Sequence, residues 1–186
     1  MLCVSVCQII WRFNMSDKKA LIVIDMQNDY LWEKRKPTFS YDTKRLTADV
    51  NALIHKYDSE GADVIYIRHL IQNLPTNRLL FGYSIAGTEG AELYGGVDIV
   101  SDHCFDKLFG DAFTNKDLLQ LVREKAYDEV HLCGLDECGC VTSTALGAAK
   151  RGITAKIVRS GTATVFPEKK VSAAHKKLNE AKIEFI

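Results

Sequence analysis

The apolar positions of this chain switch repeatedly between a strand pattern and a helix pattern. Ala20–Asp25, ALIVID, is a continuous aliphatic run ending in an acid, the signature of a parallel strand buried on both faces. From Thr43 to Glu60 the residues Leu46, Val50, Leu53, Ile54 and Tyr57 recur at helical spacing, and Gly61 stands where a C-terminal cap belongs. Asp63–His69, DVIYIRH, predicts a second strand, and Asp98–Ser101 a short one. Thr114 or Asn115 caps a helix reaching Lys125, with Leu118, Leu121 and Val122 facing inward. Val130–Leu135 reads as a buried strand, Val141–Lys150 as a helix of small residues, and Thr154–Arg159 as a strand. Pro167 opens another helix, and Lys182–Ile186 is the last strand.

Two stretches lack a period. Residues 26–41 carry Pro37 and aromatics and read as a loop. Residues 70–97 hold Pro75 and five glycines; a loop of this length in a compact domain is usually functional, although a surface excursion has the same composition. Strands alternating with helices argue for an α/β three-layer sandwich. Its sheet is mainly parallel and doubly wound in the Rossmann-like manner, with helices on both faces. Ligands in such folds bind beyond the carboxyl ends of the strands. That rule gathers Asp25, Arg68, His69 and the turn at 136–140 from three separate parts of the chain. No internal repeat or second domain is evident.

Composition narrows the picture. The 186 residues are 47% hydrophobic and 26% charged, with a formal net charge of zero, so nothing points to nucleic acid or an anionic membrane as partner. The six cysteines lack the spacing of a disulfide scaffold and suit reduced thiols in the cytoplasm. The apolar run in residues 1–14 is too short to span a bilayer and lacks the basic flank of a signal peptide. Met15, followed by Ser-Asp-Lys-Lys, reads as a more natural start. Residues 1–17 are therefore expected to be an extension, disordered or arising from a mis-set start, and residues 18–186 the domain.

The chemistry concentrates at 136–140. A cysteine at a strand-to-helix turn meets free backbone N–H groups and the positive end of the helix dipole, which favour thiolate. As a nucleophile Cys140 needs a base, and a pair of donors for the oxyanion of an attacked carbonyl. Asp25 is the candidate base, its pKa raised by desolvation at a strand end; an acid capping the next turn fits the same position. Lys107 is a candidate cationic partner, and a solvated surface lysine fits there equally. Cys138-Gly-Cys140 also suits a thiol redox pair. Cys138, Cys140, His69 and Cys104 show no recognised metal-ligand spacing. A third reading is a binding module that keeps the fold without turnover.

Four motifs occur in register: IDMQNDY (24–30), GTEGAEL (87–93), DKLFGDAF (106–113) and CGLDECGCVTSTALGAAKRG (133–152). Together they resemble the isochorismatase-like cysteine hydrolases, which include nicotinamidases and N-carbamoylsarcosine amidohydrolases. The resemblance covers roughly residues 18–186. It implies a six-stranded parallel sheet, a homo-oligomer (dimer or tetramer) and an Asp–Lys–Cys triad of Asp25, Lys107 and Cys140. Cys138 falls on a variable position. The resemblance further implies a cis peptide at Leu135–Asp136 that aims the Asp136 N–H at the oxyanion, beside that of Cys140.

The departures also carry information. Nicotinamidases of the family have an Asp/His metal cluster with a D-x-H pattern after the second strand, whereas here the region reads IRHLIQNLP with one histidine. No metal and no cofactor are expected. Isochorismatases proper cleave an enol ether without a cysteine nucleophile, and Cys140 points away from them. Asp136 and Glu137 replace small or hydroxylated residues; facing the pocket, they would raise the thiol pKa or favour a cationic substrate. The expected activity is hydrolysis of a C–N bond in a small amide or carbamoyl compound through a thioester-type intermediate on Cys140. Arg68, His69 and Glu137 are the candidate substrate contacts.

Overall fold

The computed structural model describes residues 18–186. The extension read at residues 1–17 lies outside them. Six strands form one sheet: β1 (Lys19–Ile24), β2 (Asp63–His69), β3 (Cys104–Lys107), β4 (Glu129–Gly134), β5 (Ala155–Thr162) and β6 (Glu184–Phe185). Their order is β3-β2-β1-β4-β5-β6 and every pairing is parallel. The helices are α1 (Asn28–Leu31), α2 (Thr43–Ser59), α3 (Pro75–Leu80), α4 (Lys116–Lys125), α5 (Thr142–Lys150) and α6 (Glu168–Glu180). The chain starts in the middle of the sheet, builds outward through β2 and β3, then returns to β4 beside β1. The crevice between the ends of β1 and β4 is therefore the switch point, where doubly wound sheets bind ligands.

Alternation in β1 divides the core into two layers. Ala20, Ile22 and Ile24 pack on one face with Leu118 and Val122 of α4, Ala145 and Ala148 of α5, and Leu178 of α6. Leu21 and Val23 pack on the other with Leu46, Val50 and Ile54 of α2. The unbroken aliphatic run is thus explained by burial on both sides.

Two expectations need correction. Asp98–Ser101 forms no strand: the Tyr66 hydroxyl donates to the Asp98 carbonyl at 2.9 Å and accepts the Val100 N–H at 3.1 Å, so side-chain bonds replace a ladder. The third strand is instead Cys104–Lys107, paired with β2 in the register His69–Lys107. The expected cis peptide at Leu135–Asp136 is also not found, and all described peptide bonds are trans. Gly134 makes the turn instead, at φ +101°. A Cβ there would lie 2.1 Å from the Ile24 carbonyl oxygen, so only glycine allows β4 to run this close to β1.

Candidate active site

Three strand ends supply three side chains. Asp25 follows β1 in the left-handed region, φ +53°, an uncommon conformation for a residue with a Cβ. It is held there from both sides. The Asp25 N–H donates to the Ile67 carbonyl at 2.9 Å, and the Gln27 N–H to the Asp25 carbonyl at 2.8 Å. The fully buried Gln27 side chain then clasps the His69 backbone, accepting its N–H at 2.8 Å and donating to its carbonyl at 3.0 Å. Strain of this kind survives only where surrounding contacts impose it.

Lys107 ends β3. The loop after it is pinned against α5, whose small residues let it approach: the Ala112 N–H donates to Thr144 Oγ1 at 3.1 Å, and a Cβ on Gly147 would strike the Asp111 carboxylate at 2.3 Å. The small-residue character of α5 therefore serves the lysine loop. Cys140 lies in a π-type turn, Glu137–Val141, closed by the Val141 N–H donating to the Asp136 carbonyl at 3.1 Å. Gly139 breaks the helical dihedrals at φ −110°, ψ −107°. Turns of this type recur at functional sites.

These elements converge. Lys107 Nζ lies 2.8 Å from Asp25 Oδ2 and 3.1 Å from Cys140 Sγ. Asp25 and Lys107 are each 2% exposed. The second carboxylate oxygen, Asp25 Oδ1, is buried with no hydrogen-bond partner among the described residues. Burial pushes the Cys140 thiol up to about 12, the Asp25 charge adds to this, and the Lys107 ammonium opposes both. Burial therefore works against the thiolate that the strand-to-helix turn favours. Burial alone would lower Lys107, but the Asp25 carboxylate, followed by the Cys140 sulfur, outweighs it and raises the ammonium above its usual value.

The trio opens on a cavity of about 340 Å³ that reaches Asp25, His69, Asp136 and Cys140. Five aromatic side chains line it: Tyr30, Phe39, Tyr41, Tyr83 and Phe166. The sequence names none of the five singly, but Tyr30, Phe39 and Tyr41 come from the aperiodic 26–41 stretch and Tyr83 from the 70–97 loop; Phe166 alone lies outside both. His69 faces the cavity beside Tyr30, whose hydroxyl is 3.4 Å from Nδ1; burial, then the Lys107 charge, lower its pKa and keep the imidazole neutral.

Two of the predicted substrate contacts lie elsewhere. Arg68 is engaged by Asp106, at 2.8 and 3.1 Å, and by Glu92, and does not line the cavity. Strand alternation explains this, since His69 and Lys107 face the site and the preceding pair faces away. Glu137 turns from the cavity to Thr162 Oγ1 and His175 Nε2, both at 2.8 Å. Cys138 is buried and points away from the trio's cavity lining. Among the described residues no three His, Cys, Asp or Glu side chains group as metal ligands, and no helix is long and apolar enough to cross a membrane.

Comparison with known proteins agrees with the fold. The family model of the isochorismatase domain matches residues 19–185. The isochorismatase-family protein PncA of Bacillus subtilis strain 168 is 30% identical over 147 residues, covering 73% of this chain and 80% of that protein. The crystal structure of nicotinamidase/pyrazinamidase PncA from Bacillus subtilis superposes with a TM-score of 0.77 at 27% identity, covering 90% of this chain and 98% of that one. The pyrazinamidase of Pyrococcus horikoshii in complex with zinc gives 0.76 at 26% identity, covering 91% and 98%.

Proposed function

This chain belongs to the isochorismatase family, and we propose that it hydrolyses the C–N bond of a small amide or carbamoyl compound through a covalent intermediate on Cys140. The observation that carries the reading is the buried bridge of Lys107 Nζ between Asp25 Oδ2 at 2.8 Å and Cys140 Sγ at 3.1 Å. A buried ion pair is costly to keep for stability alone. Next to a thiol at the floor of a cavity it has a chemical use.

Asp25 takes the Cys140 proton as the sulfur attacks the carbonyl carbon, so the thiolate forms only as it is consumed. Oδ1, which has no other partner, is the receiving atom. Lys107 stays protonated and balances the charge that passes between carboxylate and sulfur. The backbone N–H groups of Cys140 and Asp136 are the candidate oxyanion donors: both residues line the cavity, Asp136 through a trans peptide in place of the expected cis one. Collapse breaks the C–N bond while Asp25 returns the proton to the departing nitrogen, which is a poor leaving group unless protonated. Water then attacks the thioester, gives its proton to Asp25, and the acid leaves as the proton returns to sulfur. The net reaction is amide plus water giving acid plus amine.

His69 and the aromatic walls are the candidate substrate contacts. A free thiol nucleophile suits a reducing cytoplasm. The reading includes a homo-oligomer, supported by the exposed Leu79, Leu80 and Phe81 close to the cavity wall at Tyr83; light scattering checks it. The mechanism is tested by mass spectrometry after exposure to a panel of small amides and carbamoyl compounds. A covalent adduct on Cys140 is expected, and Cys140→Ala should lose both adduct and turnover. Turnover that survives Cys140→Ala would overturn the mechanism.

A further inference from the structure

We propose that the Asp136 carboxylate is the positioning residue of this site, fixing the nucleophile turn and two cavity walls in one register. Its two oxygens accept four hydrogen bonds from three segments. Oδ1 takes the Cys138 N–H at 2.9 Å and the Thr164 hydroxyl at 2.8 Å. Oδ2 takes the Tyr41 hydroxyl at 2.9 Å and the Val165 N–H at 3.1 Å. A helix cap needs only the bond to Cys138. The other three reach outward, to the 38–41 segment and to the loop after β5, which carry the cavity residues Phe39, Tyr41, Val165 and Phe166.

The residue type follows from the donors. A carboxylate only accepts, whereas an asparagine amide presents two N–H groups on one side. Either orientation of asparagine would set those groups against a fixed backbone N–H, that of Cys138 or that of Val165. The main chain adds to the hub, because the Asp136 carbonyl accepts the Gly139 and Val141 N–H groups at 2.9 and 3.1 Å. A Cβ on Gly139 would come within 3.3 Å of the Asp136 Cβ, so the turn bearing Cys140 is packed directly on this residue. The geometry makes the depth of the sulfur depend on the outward bonds. Asp25 and Lys107 face that sulfur from the strand ends, and the phenols of Tyr30, Tyr41 and Tyr83 face it from the walls.

The inference rests on Cys140 as nucleophile, and its test reads where the sulfur sits whether or not amides turn over. The rate of Cys140 alkylation by iodoacetamide, resolved cysteine by cysteine by mass spectrometry, is followed from pH 7 upward. It is compared between the wild type and Tyr41→Phe/Thr164→Val. The double variant keeps the cap and every charge while cutting two outward bonds; Thr164 Oγ1 also accepts the Phe166 N–H at 3.2 Å, so Tyr41→Phe alone, which leaves that bond intact, is measured beside it. Water then reaches the sulfur, the thiol titrates lower, and alkylation at pH 8 should rise by about threefold for each pH unit of the shift, the gain in thiolate being partly offset by its lower nucleophilicity. A pH profile that superimposes on the wild type's, even with a lowered melting temperature, would overturn the proposal. Should the double variant fail to fold, Tyr41→Phe alone decides in the same way. Survival of turnover in Cys140→Ala would sink the hydrolase mechanism and leave this profile unaffected.

Discussion

Lys107 and Asp25 form a buried ion pair at 2.8 Å, with side-chain exposures of 0% and 3%. Each needs the other. Lys107→Met would leave the Asp25 carboxylate buried without its counter-charge, and breaking such a pair typically costs about 3–5 kcal/mol. Urea denaturation of Lys107→Met should show a loss of this order. Adding Asp25→Leu should recover much of the stability without restoring activity. An unchanged midpoint in the single variant would mean that the pair does not form in solution.

The raised Cys140 thiol sets an alkaline signature. From an ordinary value of 9.0 it is pushed to about 12, first by burial and then by Asp25. Below pH 9 the thiol is neutral in both folded and unfolded chains and contributes no pH dependence. Between 9 and about 12 the unfolded chain releases the proton while the folded one keeps it, so stability falls as pH rises. Alkylation of Cys140 should therefore keep accelerating well beyond pH 9. A plateau near 9 would show an ordinary thiol.

Asp25→Asn keeps the shape of the site and removes the base. Acylation of Cys140 should slow by about two to four orders of magnitude in single-turnover experiments, with substrate binding retained. Cys138→Ala, in contrast, should keep most of the activity, since its side chain does not reach the trio. The reverse outcome would assign the nucleophile to Cys138.

The donor set after β2 predicts indifference to chelators. His69 stands among Tyr30, Lys107 and Gln27, with no cluster of metal-ligating side chains among the described residues. Exhaustive dialysis against a chelator should leave turnover unchanged. Loss of turnover, restored by zinc, iron or manganese, would reveal ligands outside the described residues.

The sheet was legible in the sequence because burial on both faces writes uninterrupted aliphatic runs. Asp63–His69 matches residue for residue, and the helix expected from Thr43 closes one residue early, at Ser59. Edge strands are harder to read. Cys104–Lys107, covered by one neighbour, carries no such run, while the apolar Ile99 and Val100 mimic one and are organised by Tyr66 instead. Asp25 and the turn of Cys140 could be placed because they follow legible strands, whereas Lys107, on the illegible β3, could be placed by the motif DKLFGDAF and the family resemblance. The walls could not, because Phe39, Tyr83 and Phe166 reach the cavity through loops whose paths depend on hydrogen bonds such as those of Asp136. The sequence leaves the direction of the Cys140 shift open for a related reason: a helix terminus and nearby acids are visible there, whereas desolvation at the floor of a cavity is not.

The order of the strands separates what is fixed from what is free to change. Asp25, Lys107 and Cys140 are anchored to β1, β3 and the end of β4, all within one hydrogen-bonded sheet. Apart from His69 at the end of β2, the candidate substrate contacts sit outside that sheet, on Tyr30 and on segments 38–41, 83 and 163–166. A lineage that redraws the segment around 83 can acquire new substrates with its bond-breaking apparatus in place, whereas changes at 38–41 and 163–166 must keep the bonds to Asp136. The same arrangement offers a route for engineering, in which loops exchanged between relatives transfer preference without disturbing reactivity where the bonds to Asp136 are kept.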